Sequence, residues 1–216
     1  MASRTVTAPI DIEDEVVLDT TPMSYEEYQA WYDEGRRGEW VDGEVIPFMA
    51  TSERHGRIHS ILFGLLVAYL DLRRLGRVYT QTFELRSREG AAREPDILVV
   101  LNQHRDRIEE MRVRGAADLV VEIISPDSVT RDRKVKFDEY EAAGVPEYWI
   151  IDPRRAREAI DVYVLGADGA YAEAELDDEG RLRSVVLPGV WFDPAWLIGD
   201  ELPAIVRLAM EMAGEA

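Results

Sequence analysis

Three stretches of the chain hold residue types whose placement could support chemistry. Asp96 ends the tripeptide Glu94-Pro95-Asp96 and opens the apolar run Ile-Leu-Val-Val. An aspartate at the mouth of a buried strand is held rigidly by the sheet, as a metal ligand needs to be. A loop cap is the plainer role for it. Glu122 stands inside Leu-Val-Val-Glu-Ile-Ile-Ser. An ionised carboxylate within an apolar strand is costly unless it is paired or bound to a metal. Side chains alternate along a strand, so Val120, Glu122 and Ile124 share one face, and Val121 and Ile123 the other. A salt bridge to a buried arginine is the structural alternative. The third candidate is a lysine. Only Lys134 and Lys136 occur, against 23 arginines, and lysine is the compact donor whose pKa can be tuned where arginine is a fixed cation. At helical spacing Lys136 shares a stripe with Val129, Arg133, Tyr140 and Ala143, whereas Lys134 joins Thr130, Asp138 and Glu141. Lys136 therefore points toward the sheet and Lys134 toward solvent.

Other polar residues carry weaker signals. His55 and His59 lie one turn apart, but no His-Glu-x-x-His pattern or third ligand accompanies them. His104 falls in a polar connector. Glu147 and Asp152 bracket a strand as caps or ion-pair partners. Glu44, beside the Asp42-Gly43 turn, is an accessory carboxylate candidate. Phosphate-binding glycine loops are absent from the sequence, and Ser125 before Pro126 lacks the elbow and histidine of a nucleophile.

The elements that must position these residues follow from pattern. Ser24-x-x-Glu27 is a capping box that opens a helix to about Glu34. Asp42-Gly43 marks a hairpin within residues 39–49. Ile58, Ile61, Leu62, Leu65, Leu66 and Tyr69 recur at helical spacing over about Glu53 to Leu72. Residues 77–87 alternate as one half-buried strand. The runs 96–101 and 118–125 read as central strands, with a short helix around Asp106–Met111 between them. Pro126-Asp127 then starts a helix to about Ala143, closed by Gly144 and Pro146. Strand 147–152 completes a crossover unit, so the strands near 119 and 148 are expected to be parallel. Further strands are expected near 160–165, 170–176 and 182–188, and a last helix from about Glu201.

Composition sets the frame. The chain has 216 residues and no cysteine, enough for one domain and a sizeable core. Residues 1–20 read as a flexible acidic lead-in, and 21–216 as the domain. With no apolar run of membrane-spanning length, no secretory pattern and no disulfides, a cytoplasmic protein without membrane contact is expected. The net charge of −18 is unfavourable for a polyanionic ligand. The excess is uneven: residues 51–155 hold 18 acids and 18 bases, leaving the acid to the flanks.

The stretch EPDILVV followed by LVVEIISPDSVTRDRKVKFDEYEAAGVPEYWIIDP resembles the Uma family of restriction-endonuclease-like proteins within the PD-(D/E)XK nuclease superfamily. The Asp42-Gly43-Glu44 turn and His55 at the head of a long helix also fit, and the resemblance spans about residues 22–200. It implies an α/β, restriction-endonuclease-like core: a central mixed β-sheet flanked by helices, with extra antiparallel strands near the C-terminus, often assembled as a homodimer. Asp96 matches the first acid of the superfamily pattern and Glu122 the second. Ile124 occupies the usual lysine position. The family is thought to carry that lysine on the following helix, and the Asp132…Lys136…Tyr140 spacing matches its helical motif. The resemblance implies catalysis by Asp96, Glu122 and Lys136, with Mg²⁺ or Mn²⁺ on Asp96 and Glu122 and on a backbone carbonyl, that of Ile123. Glu44, His55 and Tyr140 are accessory candidates, and nucleic acid, DNA first, is the expected partner. Two alternatives remain open at this level: an inactive nuclease fold serving as a binding or assembly module, and a metal-dependent hydrolase of a small nucleotide.

Overall fold

In the computed structural model, residues 15–155, 157–199 and 204–215 are described below. Ser24 caps helix α1 (Tyr25–Asp33), its side chain accepting from the Glu27 amide while the Glu27 carboxylate accepts from the Ser24 amide. Strands β1 (Gly38–Val41) and β2 (Glu44–Pro47) form the expected hairpin. Its turn residues Asp42 and Gly43 both have positive φ, as a two-residue turn of this hand requires. Helix α2 (Glu53–Arg73) follows, and every apolar residue expected on its inner face is buried.

The centre of the molecule is a six-stranded mixed sheet. Strands β3 (Gly76–Thr80), β4 (Ile97–Leu101), β5 (Leu119–Ile123), β6 (Glu147–Asp152), β7 (Ala159–Leu165) and β8 (Tyr171–Glu173) lie in the order β8-β7-β6-β5-β4-β3. Only β5 and β6 run parallel, joined by the crossover helix; every other neighbouring pair is antiparallel. Alternation divides the core in two. Ile97, Val99, Val121 and Ile123 face α2 and the C-terminal helix α4 (Ile205–Glu215). Leu98, Val100, Val120 and Ile124 face the crossover segment, with Val129 and Tyr140.

Four expectations shift. The strand expected over 77–87 divides into β3 and a separate short strand Glu84–Arg86. Thr82 takes a positive φ between them, and Phe83 folds back so that its ring stacks on Tyr79 at 4.1 Å. The connector helix is a 3-10 turn at Asn102–Arg107. Near the C-terminus, Leu182–Arg183 pairs with Trp191–Phe192 in place of a long strand over 182–188. The crossover helix contains a π turn, Arg131–Val135, before α3 (Lys136–Ala143). Of the acidic lead-in, residues 1–14 lie outside the described residues. Beyond them, the Glu15 carboxylate accepts from the Thr130 amide and hydroxyl, and the Val16 amide donates to Pro126 O. The expected start of the last helix, near Glu201, also lies outside the described residues, and the helix described is α4.

Candidate active site

The register of the two central strands sets the site. Ile97 of β4 opposes Val121 of β5, so one step further Asp96 stands opposite Glu122, and opposed residues in an antiparallel pair share a face. Both are buried, and both line a cavity of about 400 Å³ together with His55, Asp132 and Lys136. The Asp96 carboxylate is fully engaged. Its Oδ2 accepts the Ile123 amide at 2.7 Å, its Oδ1 accepts from the Gln81 side chain, and His55 Nε2 lies 3.4 Å from Oδ1. Burial alone would raise the Asp96 pKa, but these donors, His55 foremost, hold it below the ordinary value. Burial likewise works against the imidazolium of His55, and Asp96 outweighs it, leaving His55 raised.

Lys136 arrives from the other side, where packing of Val129, Tyr140 and Ile124 seats the crossover helix on the sheet. The Lys136 amide donates to Arg131 O, a bond one residue longer than the α-helical one, and π turns of this kind recur at functional sites. The ammonium is 3% exposed and meets three carboxylates: Glu39 Oε1 at 2.9 Å, Glu122 Oε1 at 2.9 Å and Asp132 Oδ1 at 3.3 Å. Lys134 is exposed, as the helical spacing predicts. Tyr140 also donates to Glu122 Oε1, at 3.1 Å.

The charges on this cluster are unequal. Burial opposes the ammonium of Lys136, but Glu122, Glu39 and Asp132 outweigh it and hold the lysine charged. Burial also opposes the Glu39 carboxylate, which Lys136, Arg93 and Arg131 nonetheless keep well below the usual range. Glu122 goes the other way. Burial raises it, and together with repulsion from Asp132, Asp96 and Glu39 outweighs what Lys136 returns. One ammonium cannot neutralise both carboxylates, each 2.9 Å from it, and Glu39 has a further cation, Arg93 Nη1, at 3.1 Å.

Of the six residues singled out from sequence, five meet here: Asp96, Glu122, Lys136, His55 and Tyr140. Glu44 does not; it is exposed on the hairpin, where it accepts the Thr20 hydroxyl at 2.9 Å. Register puts Glu44 on the same face of the hairpin as Glu39 but at its turn end, where it is exposed, while Glu39, two residues back from the turn, is buried. Glu39 and Gln81 were invisible as site residues. Glu39 precedes a strong turn signal in Glu-Trp-Val-Asp-Gly-Glu and reads as part of the hairpin. Gln81 sits where one continuous strand was expected. Of the arginines in the middle of the chain, Arg131 lines the cavity. Arg112 and Arg114 pair with Glu109, and Arg133 with Asp161.

The donor set suits a hard divalent cation. Asp96 and Glu122 offer oxygen, the donor such ions prefer. Glu122 Oε1 carries both Lys136 and Tyr140, while its Oε2 has no hydrogen-bond partner among the described residues. Asp132 Oδ1 is buried without a hydrogen bond. Among the described residues no group of three or more His, Asp or Glu side chains stands ready to hold an ion, so two carboxylates would be completed by backbone or non-protein oxygens.

The mixed sheet thus carries paired acids at the end of its central antiparallel pair, with a lysine from the crossover helix beside them. A crystal structure titled as a putative nuclease belonging to DUF820 from Anabaena variabilis ATCC 29413 shares that fold. It matches with a TM-score of 0.63 at 17% identity, over 82% of this chain and 98% of that one. The chain belongs to the Uma2 family, described as putative restriction endonuclease, whose profile matches residues 25–195. Comparison with curated proteins finds no match.

Proposed function

We propose that the chain is a divalent-cation-dependent endonuclease that hydrolyses phosphodiester bonds of nucleic acid, DNA first. The observation that carries this reading is the buried Lys136 ammonium, 2.9 Å from the Glu122 carboxylate in the cavity that Asp96 also lines. In this reading Asp96 and Glu122 hold Mg²⁺ or Mn²⁺. The ion supplies charge neutralisation at the phosphate and acidifies a water. Hydrolysis forms one bond from water oxygen to phosphorus and breaks the bond to the leaving oxygen, which takes up a proton. Lys136 acts as a fixed cation, since its neighbours keep it protonated, and its N–H groups stabilise the negative charge that grows on the phosphoryl oxygens. Tyr140 and His55 orient the two carboxylates. Arg37 and Arg131, on the cavity lining, offer cations to phosphates on either side of the cut. The same reading has the chain work as a homodimer, as the family resemblance implies, and in the cytoplasm, the expectation drawn from its composition.

The test is cleavage of plasmid DNA, with RNA in parallel, by the purified chain in Mn²⁺ or Mg²⁺. Wild type nicks the plasmid, and Asp96→Asn and Glu122→Gln each reduce the rate at least about 10³-fold, the scale of a lost electrostatic element. Cleavage that survives both substitutions refutes the assignment. Mn²⁺ that fails to bind wild type in calorimetry favours the inactive binding module. Binding without cleavage of any polymer favours a small nucleotide substrate.

A further inference from the structure

An ammonium has three N–H donors, and those of Lys136 face three carboxylates, Glu39, Glu122 and Asp132. As arranged, the ammonium donates to Glu122 and is held between it and Glu39, while Asp132 Oδ1 makes no hydrogen bond. The three acceptors differ in what they touch. Glu122 and Asp132 line the cavity, and a ligand there can reach them. Glu39 is fully buried behind the lysine and is not part of the cavity lining. It is anchored on its own side: Oε1 accepts the Glu94 amide at 3.2 Å, and Oε2 accepts from Arg93 at 3.1 Å with Arg131 Nε at 3.9 Å. Arg93 is in turn locked to Glu139 at 2.7 Å. A ligand that competes for Glu122 therefore leaves Glu39 where it is.

Resting on the metal-dependent reading above, we propose that Glu39 is a positioning residue for Lys136: when a cation takes the Glu122 carboxylate, Glu39 retains the ammonium, and the donor released from Glu122 turns into the cavity toward the phosphate. Glu39 touches neither cation nor substrate and acts only through the lysine. In Glu39→Gln the ammonium loses its rear tether and clings to Glu122, so a cation must displace it.

The chain's two lysines make this directly readable. Protein labelled with ¹³C at the lysine ε-carbons gives two signals, one of them from exposed Lys134 as an internal control. On Mg²⁺ titration of wild type, the Lys136 signal shifts while its relaxation stays that of a restrained group; in Glu39→Gln at Mg²⁺ saturation it relaxes as fast as Lys134. Restrained Lys136 in the saturated variant overturns the proposal. Calorimetry closes the argument with a double-mutant cycle. Glu39→Gln weakens Mg²⁺ binding about tenfold when Lys136 is present and less than about twofold in a Lys136→Met background. The same factor in both backgrounds means that Glu39 acts on the ion by its charge alone, and the proposal fails. If the amide variant does not fold, Glu39→Asp, one methylene short of the lysine, is read the same way. Wild type that binds no Mg²⁺ fails the metal reading and this inference together. Binding with an additive cycle fails this inference alone.

Discussion

Glu122→Gln should stabilise the ion-free protein. Glu122 is 3% exposed, and its carboxylate is repelled by Asp132, Asp96 and Glu39, with one shared lysine in compensation. Its folded pKa is therefore raised above the ordinary value of 4.5. For a raised pKa the stability is fully present below the unfolded value and is lost as pH climbs through the folded one. The amide does not titrate, so wild type and variant should be equally stable near pH 4.5 and diverge as pH rises. The lysine is not orphaned by the change, because Glu39 at 2.9 Å and Asp132 at 3.3 Å remain. The amide oxygen can still accept from Tyr140. Removing a charge from a functional site typically gains about 0.5–2 kcal/mol. For a chain of this length about 1 kcal/mol moves Tm by roughly 2–4 °C. Thermal unfolding in EDTA at pH 5 and pH 8 reads this out: little difference at pH 5, and a higher Tm for the variant at pH 8. Saturating Mg²⁺ should invert the order, since only wild type gains the binding free energy, about 2.7 kcal/mol at a hundred times Kd. A Glu122→Gln protein that melts below wild type in EDTA at pH 8 would refute the net cost of the buried Glu122 charge on which this rests.

Two further outcomes follow from the same buried network. Arg93→Met removes the guanidinium that joins Glu39 and Glu139, both buried. Removing this buried partner costs about 3–5 kcal/mol, measured by urea unfolding; a loss under 1 kcal/mol would mean that Lys136, for Glu39, and Arg88 and Ser87, for Glu139, suffice. Gly38→Ala places a Cβ 2.5 Å from the Ile46 carbonyl oxygen. The hairpin must then open just beside Glu39, lowering stability by about 1–3 kcal/mol and weakening Mg²⁺ binding in calorimetry; wild-type affinity in that variant would show that Glu39 tolerates a displaced strand.

The sequence carried the architecture where local signals are strong and agree with the tertiary fold. The capping box at Ser24, the Asp42-Gly43 turn and the apolar stripe from Ile58 to Tyr69 each specify an element without outside help. The strand, helix, strand spacing then makes the strands at 119 and 148 parallel, as they are, while the order of the other strands has no local signal. Asp96, Glu122 and Lys136 stood out because each breaks a local rule: charge at a strand mouth, charge inside a strand, a lysine on an inward helical stripe. Glu39 breaks none. Gly38 to Val41 is short and mixed in polarity, so an inward glutamate there looks like any residue of a hairpin. Its role exists only through Lys136, 97 positions away in the chain, and no local pattern encodes that pairing. Glu44 misled for the complementary reason. Pairing in the hairpin register sets it opposite Val41, on the face that Glu39 shares, but its place beside the turn leaves it exposed.

The position of the lysine has a packing explanation. On the strand, residue 124 shares a face with Glu122, which is where a strand-borne lysine would stand. Here Ile124 fills that place, 1% exposed, and packs with Val129 and Tyr140. That contact seats the crossover helix, and the π turn then inserts an extra residue per turn just before Lys136, bringing Asp132 and Lys136 to the sheet together. The Asp132 carbonyl is fixed there by the Tyr148 hydroxyl at 2.9 Å. An apolar residue on the strand is thus the condition for the ammonium on the helix: a lysine at both 124 and 136 would set two cations against each other, and a polar residue at 124 would loosen the helix that carries Lys136. Moving the lysine off the strand also opens its rear to Glu39, which a strand-borne lysine, backed by its own sheet, would not meet.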